Sequence, residues 1–352
     1  MTFEERISAF AELGQFFLFL SQNKTPKNDS LTAKFNYWKE DADNLIQSAE
    51  YANNWFTKEN IYFALENWGN ALTVDHLKTW LENYPKNLTS KNVGIIMAGN
   101  LPLVGFHDLL AVVITGNNAL IKPSSKDEKL LFLVKKYLET IHDDFINSIK
   151  FVEKLENFDA VIATGSNNTS RYFEQYFSTV PNIIRKNRTS IAILDGNETE
   201  KDLENLGEDL FRYFGLGCRN VTKLYLKEEN QLQLIIQAIF KWGETLVNHT
   251  KYANNYDYNR AIYLLSKDLF FDNNFVLIKK ETSLHSPIAV IHYEIYDNLE
   301  NVLDDLKTQK DEIQCLVTNL EIDEKINFGE TQKPTLTDYA DGIDTLQFLK
   351  EL

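Results

Sequence analysis

Asn92–Ser124 reads NVGIIMAGNLPLVGFHDLLAVVITGNNALIKPS, and this stretch decides the fold. Val93–Ala98 has the length and the Val/Ile content of a buried strand. It ends at Gly99-Asn100, and Pro102 then stands where a first helical turn would begin, a position that suits its fixed φ. Leu103–Ile114 is apolar nearly all round, which predicts a buried helix rather than a surface one. Gly116-Asn117 closes that helix as a C-cap would, and Asn118–Lys122 is a second short strand stopped by Pro123. Strand, helix and strand make one βαβ unit and imply a parallel sheet. Ligands of open parallel sheets bind beyond the carboxyl ends of the strands. Here those ends carry Asn100 and Lys122, two polar residues that each follow an apolar run.

Outward from this unit, the remaining chain alternates in the same way. Residues 1 to about 90 hold helical spacing (Phe3, Ile7, Phe10, Phe17, Leu20) and aromatic core positions, with no chemistry. Lys126–Ser148 reads as a helix, Ile149–Leu155 and Asp159–Ala163 as strands, and Asn167–Ser178 as a helix. Between the last two, Thr164-Gly165-Ser166 is a turn at a helix N-terminus, where free N–H groups can cradle a phosphate. Asn182–Lys186 and Ser190–Leu194 are expected strands. Glu198–Phe214 is an expected helix with Leu203, Leu206, Leu210 and Phe214 inward, and Val221–Leu226 is the next strand. Helices near Gln231–Leu246 and Asn254–Ser266 follow, then strands near Phe275–Lys279, Ile288–His292 and Ile313–Thr318.

Composition narrows the function. A chain of 352 residues can bury a large core and suits two domains. The net charge of −15, with no Lys/Arg-rich run to offset it, argues against nucleic acid. Arg185-Lys186-Asn187-Arg188 is the nearest candidate and holds only three cations. Phe10–Leu20 is too short to span a bilayer. Two cysteines and no export signal lead us to expect a reducing cytoplasm. No histidine pair has ligand spacing, so no metal is expected. There is no Gly-x-Ser-x-Gly elbow for a hydrolase and no Gly-x-Gly-x-x-Gly dinucleotide fingerprint. Cys315 lies in an apolar strand and reads as inert. Cys218 differs: it follows Gly215-Leu216-Gly217 in a turn beside Arg219, where a cation would favour the thiolate.

Together these pieces resemble the aldehyde dehydrogenase superfamily. Gly99-Asn100-Leu101-Pro102 resembles its Trp-Asn-Phe-Pro motif, Ile121-Lys122-Pro123-Ser124 its Lys-Pro motif, Ala163-Thr164-Gly165-Ser166 its Phe-Thr-Gly-Ser turn, and Phe328-Gly329-Glu330-Thr331-Gln332-Lys333 its late Pro-Phe-Gly-Gly-x-Lys motif. Within it the likeness is to the acyl-CoA reductases related to the fatty-acid reductase of bacterial bioluminescence. Met97–Asp108, Ala163–Thr169, Arg185–Arg188, Lys251–Tyr256 and Asp338–Gly342 carry that likeness. Two motifs depart from the superfamily. Where hydrolytic members keep a water-activating Glu, this chain reads Arg185-Lys186-Asn187-Arg188-Thr189. Where a Glu-x-Phe-Gly-Pro motif holds the nicotinamide ribose, it reads Ser283-Leu284-His285-Ser286-Pro287.

The resemblance implies an α/β fold of the aldehyde dehydrogenase kind. A Rossmann-type cofactor domain would span 1–195 with the N-terminal helices, rejoined by 321–352. An α/β catalytic domain would span 196–320, with the active site in the cleft between them. It implies reduction of an acyl-CoA thioester, long-chain by the likeness, to an aldehyde. Cys218 would be the nucleophile, and Asn100 with the Cys218 N–H the oxyanion donors. Lys122, Ser124, Ser125, Gly165 and Ser166 would bind the cofactor. NADPH is expected, with NADH as the alternative, because Ser125 stands where NAD-selective members keep a Glu and because Lys122 and Lys126 could attract a 2′-phosphate. Expected partners are an acyl-CoA or acyl-protein donor and further copies of the chain. An NAD(P)-dependent aldehyde oxidiser and an idle acyl-binding subunit are the rival readings.

Overall fold

The computed structural model describes residues 1–85 and 89–352. The chain forms two units, 1–186 with 335–352, and 187–334.

The first unit opens with four helices: α1 Phe3–Gln22, α2 Asp29–Ala52, α3 Lys58–Ala71 and α4 Val74–Trp80. Thr2 and Glu5 close a capping box on α1, satisfying two of its free N–H groups. Phe10, Phe16 and Phe17 are fully buried and face the other helices, so the aromatic richness of this segment serves packing. Then come β1 Asn92–Ile96, α5 Phe106–Ile114, β2 Asn118–Lys122, α6 Glu128–Glu139, α7 Asp144–Ser148, β3 Ile149–Phe151, β4 Ala160–Thr164, α8 Asn167–Tyr176 and β5 Asn182–Arg185. The five strands are parallel in the order β3-β2-β1-β4-β5. The order reverses direction between β1 and β4, which makes their carboxyl ends the natural ligand crevice.

The βαβ reading holds, with one correction. The helix starts at Phe106, not Leu103, because Leu103 adopts a left-handed φ of 57° in a tight turn. In that turn the Val104 N–H donates to Leu101 O and the Phe106 N–H to Leu103 O. The C-cap is as expected: Gly116 has φ 93°, open to a residue without Cβ, and the Asn117 N–H returns to Val112 O. The expected helix over 126–148 is two helices, since the chain turns at Thr140–Asp143.

The second unit holds β6 Thr189–Leu194, α9 Glu200–Phe211, β7 Val221–Leu226, α10 Gln231–Ala238, α11 Gly243–Val247, α12 Thr250–Ser266, β8 Phe270–Asp272, β9 Leu277–Lys280, β10 Val290–Ile295, α13 Leu299–Thr308, β11 Ile313–Val317 and β12 Lys325–Ile326. Its sheet runs β12-β11-β6-β7-β10-β9-β8, parallel except for β8. The division differs from the expected boundaries at 195/196 and 320/321. β6 is hydrogen-bonded between β7 and β11, so it belongs to the second sheet. The chain rejoins the first unit only at Thr335.

That returning segment is fastened by polar and apolar contacts. Leu336, Leu346 and Leu349 are buried in the first unit's core. The Trp80 indole N–H donates to the Tyr339 hydroxyl at 2.8 Å, and His107 Nε2 donates to Leu336 O at 3.0 Å. His107 is therefore the structural hydrogen-bonder expected of it. Burial holds its imidazole below the usual range, partly offset by the Asp108 carboxylate.

Candidate active site

Each candidate residue of the first unit stands at or after the carboxyl end of a strand of the parallel sheet. Asn100 is exposed on the loop after β1. The loop is held from behind, where the buried Asn53 donates Nδ2 to Gly99 O at 3.2 Å. Gly99 is required by close approach: a Cβ there would lie 2.4 Å from Ser124 Oγ and 2.6 Å from Ser124 Cβ. Ser124 thus packs the loop after β2 against the loop after β1, and its Oγ accepts from the Lys126 N–H. Asp127 is buried beneath the same two loops. Burial pushes its carboxyl well above the usual range, while the N–H groups of Leu103 and Val104 pull it down. Lys122 and Ser125 are exposed on the same edge. Beyond β4, Ser166 caps α8 by accepting from the Thr169 N–H, with Gly165 packed against Thr169 and Phe173.

A groove of about 660 Å³ opens on this edge, lined by Ile96, Lys122, Lys154, Leu155 and the α8 residues Tyr172, Phe173, Gln175, Tyr176 and Phe177. Its size falls within the range of small-molecule sites. Apolar walls with cations at the rim suit an adenine nucleotide. Lys122 lines this groove; Ser124, Ser125, Gly165 and Ser166, also expected to bind cofactor, do not.

The second unit carries Cys218, half-buried, while Cys315 is buried in β11 as expected of an inert thiol. α9 ends at Phe211, earlier than its apolar spacing predicts. Arg212 leaves the helix, and Tyr213, Phe214 and Gly215 follow with φ of 55°, 60° and 75°. Two bulky left-handed residues cost about 1–3 kcal/mol each and persist only where packing over-determines them. Phe214 is buried and stacks on His249, with ring centroids 3.9 Å apart.

What holds the cysteine turn was not singled out in the sequence. Asn220 is fully buried. Its Oδ1 accepts from the Gly217 N–H at 2.9 Å, and its Nδ2 donates to Asp209 O at 3.1 Å and Arg212 O at 2.9 Å. It thereby satisfies carbonyls at the frayed end of α9 and pins the turn that presents Cys218. The buried Ser190 donates Oγ to Cys218 O at 2.9 Å. Arg219, expected to act as a cation beside the thiol, also donates Nε to Thr331 O at 2.5 Å. Asp209 fastens the 328–333 loop by accepting from the Gly329 N–H, the Thr331 N–H and the Thr331 hydroxyl. Burial pushes the Asp209 carboxyl up to about 6 against those three donors. The only sequence signal for this knot was its proximity to Cys218 and to the Phe328–Lys333 motif.

Among the described residues no group of three or more His, Cys, Asp or Glu could hold a metal, and no helix is long and apolar enough to cross a membrane. Arg185, at the place of the missing water-activating Glu, is buried against Asp108 and donates Nη2 to Thr345 Oγ1 at 3.1 Å. It is a structural cation.

Comparison with known proteins gives the family and the fold. The family model described as acyl-CoA reductase (LuxC) matches residues 18–324. Among solved structures, an NAD+ complex of an aldehyde dehydrogenase from Bacillus cereus is similar with a TM-score of 0.60 at 13% identity, over 91% of this chain and 73% of that one. An NAD-dependent aldehyde dehydrogenase from Sinorhizobium meliloti gives 0.63 at 11% identity, over 94% and 72%. Aldehyde dehydrogenase 21 from Physcomitrella patens, in complex with succinate, gives 0.62 at 11% identity, over 91% and 74%. At these identities the likeness shows the fold. No curated protein matches the chain.

Proposed function

The chain belongs to the LuxC acyl-CoA reductase family, on the aldehyde dehydrogenase fold, and from that premise we propose that it reduces a long-chain acyl-CoA thioester to the aldehyde through an acyl group carried on Cys218. The observation that carries this reading is the cysteine turn itself. One thiol is half-buried on a turn fastened by Asn220, Ser190 and Arg219, whereas the other is buried in a strand.

The Cys218 thiolate attacks the acyl carbonyl carbon, a C–S bond to the enzyme forms, and CoA leaves as its thiolate. A nicotinamide cofactor, when bound, supplies the hydride. Hydride on the acyl carbon leaves a hemithioacetal oxyanion; its carbonyl re-forms as the C–S bond breaks, releasing aldehyde and returning the Cys218 thiolate. Each tetrahedral state puts negative charge on the former carbonyl oxygen. The proposed donors to it are the Cys218 backbone N–H and the Asn100 side-chain amide, and one such donor is typically worth about 10²–10³ in rate. The groove beyond β1 and β2 is the proposed seat of the adenosine half, with Lys122 on its ribose. The N-terminus of α8 at Gly165-Ser166 is proposed for the pyrophosphate. Ser124 and Ser125, next after Lys122 and Pro123 in the chain, are proposed as further cofactor contacts, and NADPH is the proposed cofactor.

No carboxylate occupies the water-activating place, and a positioned general base typically contributes about 10²–10⁴-fold. The acyl-enzyme should therefore outlive a single turnover when cofactor is withheld. Radiolabelled acyl-CoA should label wild type and Cys315→Ala but not Cys218→Ala, with one burst of CoA and slow release of fatty acid. Adding NADPH should discharge the label as aldehyde. Equal labelling of the Cys218 variant, or rapid continuous fatty-acid release, would overturn the reading.

A further inference from the structure

Of the groove's residues, Lys154 has no role in the reading above. We propose that Lys154 selects the 2′-phosphorylated cofactor, meeting the phosphate on the adenine ribose while Lys122 holds the ribose itself; this rests on the cofactor reading of the groove. The two lysines share this groove because β2 and β3 are parallel neighbours, with Ile121 opposite Phe151 and the Val152 N–H donating to Ile121 O. The chain leaves both strands on the same edge, and both side chains line one groove. Lys126, the second cation expected from the sequence, is not on its wall. Among the described residues no Asp or Glu lines the groove, and Glu156, which pairs with Lys154, is the carboxylate a 2′-phosphate has to displace.

Lys154 is paired with Glu156 at 3.0 Å, and both side chains are largely exposed. Such a surface pair is weak and readily exchanged for a stronger partner. A ribose 2′-phosphate carries nearly two negative charges and three acceptor oxygens. The apolar wall of Ile96, Leu155, Phe173 and Phe177 offers the adenine a face to lie on. One cation at the rim serves either cofactor equally; a second, set on the neighbouring loop, finds a partner stronger than Glu156 only when the 2′-phosphate is there.

The test uses the full chain in calorimetric titrations at low salt with 2′,5′-ADP and 5′-AMP as probes. Wild type should bind 2′,5′-ADP the more tightly. Lys154→Ala should weaken 2′,5′-ADP roughly threefold to tenfold and leave 5′-AMP within about twofold. Glu156→Gln, which releases Lys154 from its carboxylate, should strengthen 2′,5′-ADP, an effect that simple loss of packing would not produce. Equal losses for both probes, or an undiminished preference in Lys154→Ala, would overturn the assignment while leaving the groove a nucleotide site. If wild type binds neither probe and neither NADPH nor NADH, the cofactor reading falls, and this inference with it.

Discussion

Asn220 and Asp209 carry more of the site's order than their place in the sequence suggests. Asn220→Ala removes the acceptor of the Gly217 N–H and strands carbonyls at the end of α9. It should cost about 2–3 kcal/mol, the scale of buried polar groups left unsatisfied. It should also slow acylation of Cys218 more than it weakens acyl-CoA binding, since the turn and not the substrate contact is lost. Thermal denaturation together with single-turnover labelling would check both. Asp209 gives a pH signature. Its carboxyl stands at about 6 in the folded chain against 3.8 as a free group, so the folded state holds the proton more tightly. Its stabilising contribution is complete below the lower value and is lost as pH rises through the upper one. Relative to Asp209→Asn, wild type should therefore gain in Tm as pH falls from 7 to 5. A flat difference across that range would mean that the carboxyl is not perturbed.

Among the elements, the returning segment 335–352 is the most exposed to test. Three of its leucines are buried in the first unit, and burying one such side chain is worth about 1.5–3 kcal/mol. Ending the chain at Pro334 should remove several kcal/mol from the first unit, on the scale of a whole domain's stability. Limited proteolysis should then cut within α1–β5 and spare 187–334; equal protection of both would sink the claim. Element types were largely legible because their signals are local. β2 and β7 fall where alternation and flanking Pro, Gly and Asn put them. The failures have physical causes. Leu103 and Phe214 both continue an apolar helical pattern, yet each is buried from a left-handed turn that side-chain spacing does not report. β8, a short edge strand with little burial, has only the brief run Leu269-Phe270-Phe271 to announce it.

At the scale of the molecule, the family motifs gave the two-sheet plan and pointed to Cys218, Asn100 and Lys122, but not the seam between the units. No Pro or Gly marks the join at Lys186/Asn187, and the apolar run of β6 says nothing about which sheet will take it. The knot of Asn220, Ser190 and Asp209 was equally silent, because a buried polar residue declares itself only once its partners, distant in sequence, are in place. The divided first unit also orders events during synthesis. Residues 187–334 are contiguous and can fold as they leave the ribosome. The first unit must wait with Leu336's slot empty and with Trp80 and His107 lacking their later partners. Translation that stalls within the second unit leaves an open apolar slot beside Trp80 and His107, whose partners in 335–352 are still to come. That is a surface chaperones and proteases can recognise, so a nascent chain would be cleared before an unfinished first unit could accumulate.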